Sequence, residues 1–280
     1  MPEGDTVYQL ATFLRPLLRD RCLVDARVRG AAATDLVGVR IDDVTAHGKH
    51  LFIAFDGERV LRSHLGMHGS WHHYAAGETW RRPARQASIV LDTGERVYVC
   101  FNALQVELLR GRGVRARHLA QVLGPDLMQA TVDVDAVVAR ALQLSDPQRV
   151  LVDVLLDQRI ACGIGNVYKS EVLFLERQHP ATPLQALDAS TLAALYRRAS
   201  TLLRANTDGG RRITRHTNDD AGILWVYRRR GLPCLRCATP IVTQRMGRGG
   251  RSTYWCPSCQ PALSPAPTST SATSSRRDEG

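Results

Sequence analysis

Two Cys-x2-Cys pairs, Cys234/Cys237 and Cys256/Cys259, stand 18 residues apart. Four thiolates in two such knuckles suit tetrahedral Zn2+. No fifth ligand is in view, so the spacing predicts one closed, structural zinc site. Between the pairs, IVTQR and RSTYW flank the Gly-rich stretch MGRGG, a pattern for a β-hairpin hung from the metal. That hairpin would carry Arg248 and Arg251. Arginines on a short rigid hairpin are well placed to hold phosphate; for Arg248 a solvated basic turn fits equally well.

A second candidate lies at the N-terminus, where Pro2 and Glu3 follow the initiator methionine. Cleavage before proline leaves a free secondary amine, and an α-amine has a pKa of about 7.7 to 8.0. Much of it is therefore neutral near physiological pH. Attack of such an amine on a sugar C1′ gives a charged iminium directly, an electron sink for elimination at the neighbouring C–H. Glu3 beside it could carry the proton. A third candidate is Gly163-Ile164-Gly165-Asn166 at the start of an apolar-periodic segment. Amides at a helix start plus an Asn side chain can hold a phosphate, although such turns also serve only to let helices pack closely.

The surrounding pattern shows what must position these groups. Residues 5–20 place Val7, Leu10, Leu14, Leu17 and Leu18 at helical spacing, with Asp5 or Thr6 as cap and Pro16 as a possible break. HLFIAF, RVLRSHL, ASIVLD and RVYVCF then read as short strands, with turns at Asp56-Gly57 and Thr93-Gly94. Beyond residue 128 the segments VDVDAVVARAL, RVLVDVLLDQ, NVYKSEVLFL and STLAALYRRASTLLRA are helical. The expected fold is α+β and multidomain. An N-terminal helix and β-sandwich would span 1–128, a helical domain 129–226 and a zinc finger 227–260. A Pro/Ser/Thr-rich tail over 261–280 cannot build a core.

Bulk properties restrict the partners. The net charge of +10 and pI near 9.7 favour a polyanion. Lys49 and Lys169 are the only lysines among 37 basic residues, so each marks a place where arginine does not serve. No stretch has the roughly 18 apolar residues of a membrane span, and MPEGDTVYQL lacks the regions of a signal peptide. A cytoplasmic protein is therefore expected. The three remaining cysteines, Cys22, Cys100 and Cys162, read as buried small apolar residues rather than a disulfide framework.

MPEG at the N-terminus, HGKHLF at 47–52, HLGMHG at 64–69, GIGNVYKSE at 163–171 and the zinc hairpin occur in this order. Together they resemble the formamidopyrimidine-DNA glycosylase and endonuclease VIII family over residues 1 to about 260. The resemblance implies a bacterial, nucleoid-associated, monomeric base-excision enzyme acting on damaged DNA. It also implies a helix–two-turns–helix central domain. In it Pro2 is the Schiff-base nucleophile and Glu3 the proton donor. Lys49 assists β-elimination and contacts phosphate, and Arg251 grips phosphate and serves δ-elimination. Asn166 binds phosphate, and Glu171 orders the site or is simply a packed helix residue. Met67, with His68, would be the wedge that replaces a flipped base; core packing is the alternative for Met67.

The pattern lies closer to the endonuclease VIII branch, which prefers oxidised pyrimidines. No counterpart of the arginine and phenylalanine that face the orphan base in the purine-lesion branch stands in residues 101–117, and Gly66 occupies a position before the wedge that is often polar. An oxidised-purine glycosylase and a non-catalytic zinc-containing DNA-binding protein are the rival readings.

Overall fold

A computed structural model describes residues 2–111, 123–217 and 219–262. Helix α1 (Gly4–Leu18) is followed, among the described residues, by nine strands before the helical part. These are β1 (Asp25–Val28), β2 (Ala31–Ala32), β3 (Ile41–His47), β4 (His50–Phe55), β5 (Arg59–His64), β6 (Ser70–Ala75), β7 (Ala87–Asp92), β8 (Arg96–Phe101) and β9 (Gln105–Arg110). They form a five-stranded sheet in the order β2-β1-β7-β8-β6 and a four-stranded sheet in the order β3-β4-β5-β9. All their pairings are antiparallel. Alternate residues of both sheets, among them Val44, Ile53, Leu61, Ile89, Leu91 and Cys100, meet Val7, Leu14 and Leu18 of α1 in one core.

Helix α1 differs from the sequence reading at both ends. It starts at Gly4 with Glu3 as the cap residue, and Pro16 lies inside it. Proline in the last turn removes one donor without ending the helix, because Arg19 N–H still reaches the Arg15 carbonyl at 2.9 Å. Asp5 caps nothing at long range; its carboxylate is occupied by Arg212 (2.6 Å to each oxygen) and by the Tyr168 hydroxyl (2.9 Å).

The helical part comprises α2 (Val134–Leu144), α3 (Leu151–Leu156), α4 (Asn166–Leu175) and α5 (Ala189–Arg204). Asp133 and Asp188 cap α2 and α5 by accepting the Ala136 and Thr191 amides. Val137, Leu155, Tyr168, Leu173, Tyr196 and Leu203 fill their shared core. Strands β10 (Val242–Met246) and β11 (Arg251–Trp255) make the terminal hairpin. No helix among the described residues is long and apolar enough to cross a membrane. Cys100 and Cys162 are buried as expected, but Cys22 is exposed, in a lone bridge to Arg40 just past α1. The tail expectation falls on residues 263–280, outside the described chain.

Candidate active site

The N-terminus is stitched to the helical part through Glu3. Its side chain is fully buried, and its carboxylate accepts the amides of Gly165 (2.7 Å), Val167 (2.8 Å) and Tyr168 (3.3 Å). Three of the donors at the start of α4 are thereby satisfied by a residue more than 160 positions away. Gly4 N–H adds a bond to the Gly163 carbonyl at 2.9 Å. Gly165 permits this approach: a Cβ there would stand 2.4 Å from Glu3 Cδ. The Gly-rich turn thus receives Glu3, and the amides that Glu3 takes are not open to a phosphate.

Pro2, next to this seam, lines a cavity of about 400 Å3 together with Lys49, His64, Met67, Asn166 and Arg251. Lys49 comes from the β3–β4 turn. That turn is pressed onto the helical part by Gly48 N–H donating to Asp126 (2.9 Å), and Lys49 Nζ donates to the Ile164 carbonyl at 2.8 Å. Burial pushes the Lys49 ammonium below its ordinary value, with Arg251 acting the same way and Glu3 opposing. A lysine so placed holds its proton less tightly, as a proton acceptor requires.

Arg251 opens β11, exposed, and reaches the same cavity. The hairpin that carries it is docked: Arg248 N–H donates to both carboxylate oxygens of Asp153 at 3.0 Å. Arg248 therefore acts here through its backbone. Asn166 lines the cavity too, although its amide is engaged within the protein. Its Nδ2 donates to the Ser252 carbonyl (2.8 Å) and its Oδ1 accepts from Lys169 Nζ (2.6 Å).

Met67 and His68 sit on the tight turn between β5 and β6. Met67 is 61% exposed, which removes the core-packing alternative. Gly66 has φ +64°, and a Cβ there would meet Leu104 Cβ at 2.8 Å. The glycine is required by its backbone and by its neighbour, so a polar residue is not accommodated at this point. His64 Nδ1 accepts the Gly66 amide at 3.1 Å. Burial, with Lys49 and Arg62 nearby, pushes His64 down to about 4, so it is neutral at pH 7.

Leu104 and Arg212 were not singled out from the sequence, Lys169 was marked only by its rarity, and Glu171 was read as ordering the site or as a packed helix residue. Leu104, 64% exposed, flanks Met67 on the cavity rim. Lys169 is fully buried behind Asn166; burial and Arg251 push its ammonium down to about 7, against Glu3 and Asp153. Arg212 binds Asp5 and lies 3.7 Å from Glu3. Glu171 is a buried hub: it accepts the amides of Trp225, Val226 and Tyr227 and the Thr214 hydroxyl. It fixes that segment and does not line the cavity.

The Sγ atoms of Cys234, Cys237, Cys256 and Cys259 all lie within 4.8 Å of one another. Two zinc–thiolate bonds of about 2.3 Å at the tetrahedral angle separate sulfurs by about 3.8 Å, and Cys234 to Cys259 is 3.8 Å. The four cysteines form a site able to bind one zinc ion, at the end of the hairpin remote from Arg251.

Matches to known proteins agree with this arrangement. The chain matches the formamidopyrimidine-DNA glycosylase N-terminal domain over residues 1–105 and its H2TH domain over 123–217. Residues 231–262 match the zinc finger found in FPG and IleRS. It is 41% identical to a probable endonuclease 8 2 of Streptomyces coelicolor, covering 95% of this chain and 96% of that one. The chain belongs to the formamidopyrimidine-DNA glycosylase and endonuclease 8 family. Another relative of this family, from Mycolicibacterium smegmatis, is named DNA-(apurinic or apyrimidinic site) lyase Nei2; it is 39% identical over 94% of this chain and all of its own. In fold, the chain resembles the Lactococcus lactis Fpg bound to DNA containing an abasic site. The TM-score is 0.79 at 21% identity, over 93% of this chain and all of that one.

Proposed function

We propose that this protein is a bifunctional DNA glycosylase and AP lyase of base excision repair, acting as a monomer on oxidised pyrimidines in DNA in the bacterial cytoplasm. One observation carries the reading: Pro2, Lys49 and Arg251, from three separate parts of the chain, line a single cavity beside the Glu3-capped start of α4. On this reading catalysis belongs to the N-terminal part, phosphate binding to the helical part and the hairpin, and a structural role to the zinc site.

After loss of Met1, the neutral Pro2 nitrogen attacks C1′ of the damaged nucleotide. Its lone pair forms the N–C1′ bond, the base departs with the glycosidic electron pair, and Glu3 is the proton carrier that accompanies it. The nitrogen then gives up its proton and its lone pair opens the sugar ring, breaking C1′–O4′ as O4′ takes up a proton; the resulting iminium acidifies the C2′ proton. Lys49 removes that proton, and the 3′ phosphate leaves in β-elimination. A second loss of a proton expels the 5′ phosphate, with Arg251 and Asn166 holding the phosphate oxygens. The strand is left with a phosphate at each end of the gap. Binding of the phosphates depends on salt.

Met67 and His68 enter the stack when the nucleotide is flipped into the cavity. Neither Met67 nor Leu104 carries a side-chain hydrogen-bond donor, and the Met67 thioether is only a weak acceptor, so the rim has little means to select the orphan base through them.

Duplexes carrying thymine glycol, 5-hydroxyuracil or 8-oxoguanine test the reading. Incision of the two pyrimidine lesions with phosphate at both gap ends is expected. Preferred incision at 8-oxoguanine would assign the protein to oxidised purines, and salt-sensitive binding without incision of any duplex would make it a binding protein only.

A further inference from the structure

Lys169 stands behind the cavity and takes no part in the steps above. It is fully buried, on the first turn of α4. Its ammonium has three donors, and three oxygens meet them: Asn166 Oδ1 at 2.6 Å, Thr253 Oγ1 at 2.8 Å and the Ser252 carbonyl at 3.3 Å. Asn166 Nδ2 closes the ring by donating to the same Ser252 carbonyl at 2.8 Å. Two of these oxygens belong to the residues that directly follow Arg251, and the third belongs to the residue that opens α4.

We propose that Lys169 is a positioning residue for the second elimination, holding the Asn166 amide and the Arg251 end of β11 in one register so that both close on the same phosphate. This rests on the glycosylase and lyase reading above. A rigid planar guanidinium cannot place three donors tetrahedrally in so small a space, which accounts for a lysine here in a chain that otherwise uses arginine almost throughout. An apolar side chain of similar length would preserve packing while leaving the three oxygens without their shared donor. The contact also links the metal end of the hairpin to the cavity: Thr253 is three residues before Cys256.

The test compares full-length wild type with Lys169→Met and Thr253→Val on an end-labelled duplex with one abasic site. Zinc content, borohydride trapping and the ratio of β,δ- to β-elimination product are measured. Zinc content and trapping within about twofold of wild type are expected, together with a product ratio lowered about tenfold or more in Lys169→Met and less in Thr253→Val. Lys169→Arg should not restore the ratio. An unchanged ratio in both variants overturns the proposal, as does a parallel fall of trapping and ratio. If Lys169→Met does not fold, Thr253→Val alone decides by the same criteria. Absence of trapping by the wild type would instead defeat the underlying lyase reading, and this inference with it.

Discussion

The floor and the rim of the cavity are built differently: behind the floor formed by Pro2 and Gly165, Glu3 is 0% exposed and accepts three amides, whereas Met67 and Leu104 at the rim are 61% and 64% exposed. The floor joins the chain's N-terminus to its helical part before any DNA arrives, so Pro2 is preorganised. The rim gains partners only in the complex. Changes in the floor should therefore cost both stability and activity, while changes in the rim should cost activity on DNA with little effect on the free protein.

Gly165→Ala should have the largest effect, because its new Cβ would lie 2.4 Å from Glu3 Cδ. Either Glu3 or the start of α4 must move. A loss of about 1–3 kcal/mol in stability is expected from overpacking. A loss of about 100-fold in abasic-site cleavage is expected if Pro2, the proposed nucleophile, is displaced by an ångström. Thermal unfolding and single-turnover nicking check the two together; a stable, fully active variant would break the comparison from the floor side.

Met67→Ala should leave the melting temperature nearly unchanged, since exposed substitutions stay within about 0.5 kcal/mol. It should lower incision of duplex lesions about tenfold, the order expected for losing an apolar contact worth ~1–2 kcal/mol. Leu104→Ala should act in the same direction, and the double variant should fall short of the product of the single effects if the two share one gap in the stack. Destabilisation of the free protein by Met67→Ala would show that the rim is part of the core after all.

The extent to which this was legible in the sequence follows the same division. Strand β4 and helix α4 have the limits their patterns suggest, because period-2 and period-3.6 hydrophobicity are local signals. The zinc cysteines were legible by spacing, and the ordered set of motifs pointed to the shared cavity of Pro2, Lys49 and Arg251. The Glu3 contacts were not, since nothing local ties residue 3 to residues 165–168. Lys169 left a signal, its rarity, but its partners on β11 emerge only when the hairpin docks on α4. Leu104 left none: within a segment read as lacking an orphan-base contact, a single leucine looks like a strand residue until its exposure is seen. Residues 112–117 of that segment lie outside the described chain.

The smallest effect concerns pH. His64 is pushed down to about 4 and His50 to about 2, each chiefly by burial and with Arg62 and Lys49 contributing, against an unfolded value near 6.5. Below about pH 6.5 the unfolded chain binds protons that the folded protein does not, so stability should fall as pH drops from 6.5 toward 4. His64→Gln should flatten the upper part of that slope, measured by denaturant unfolding at pH 7, 6 and 5; an identical slope would show that His64 is not held neutral beside the wedge turn.

The claim that all of this serves is that Pro2 is the attacking amine. Borohydride reduction of the mature protein with abasic-site DNA measures it most directly. A covalent protein–DNA complex is expected, with the modification mapping to Pro2, and it should vanish when one glycine is added before Pro2. A complex that persists in the extended protein, or that maps to Lys49 or Lys169, would contradict the account.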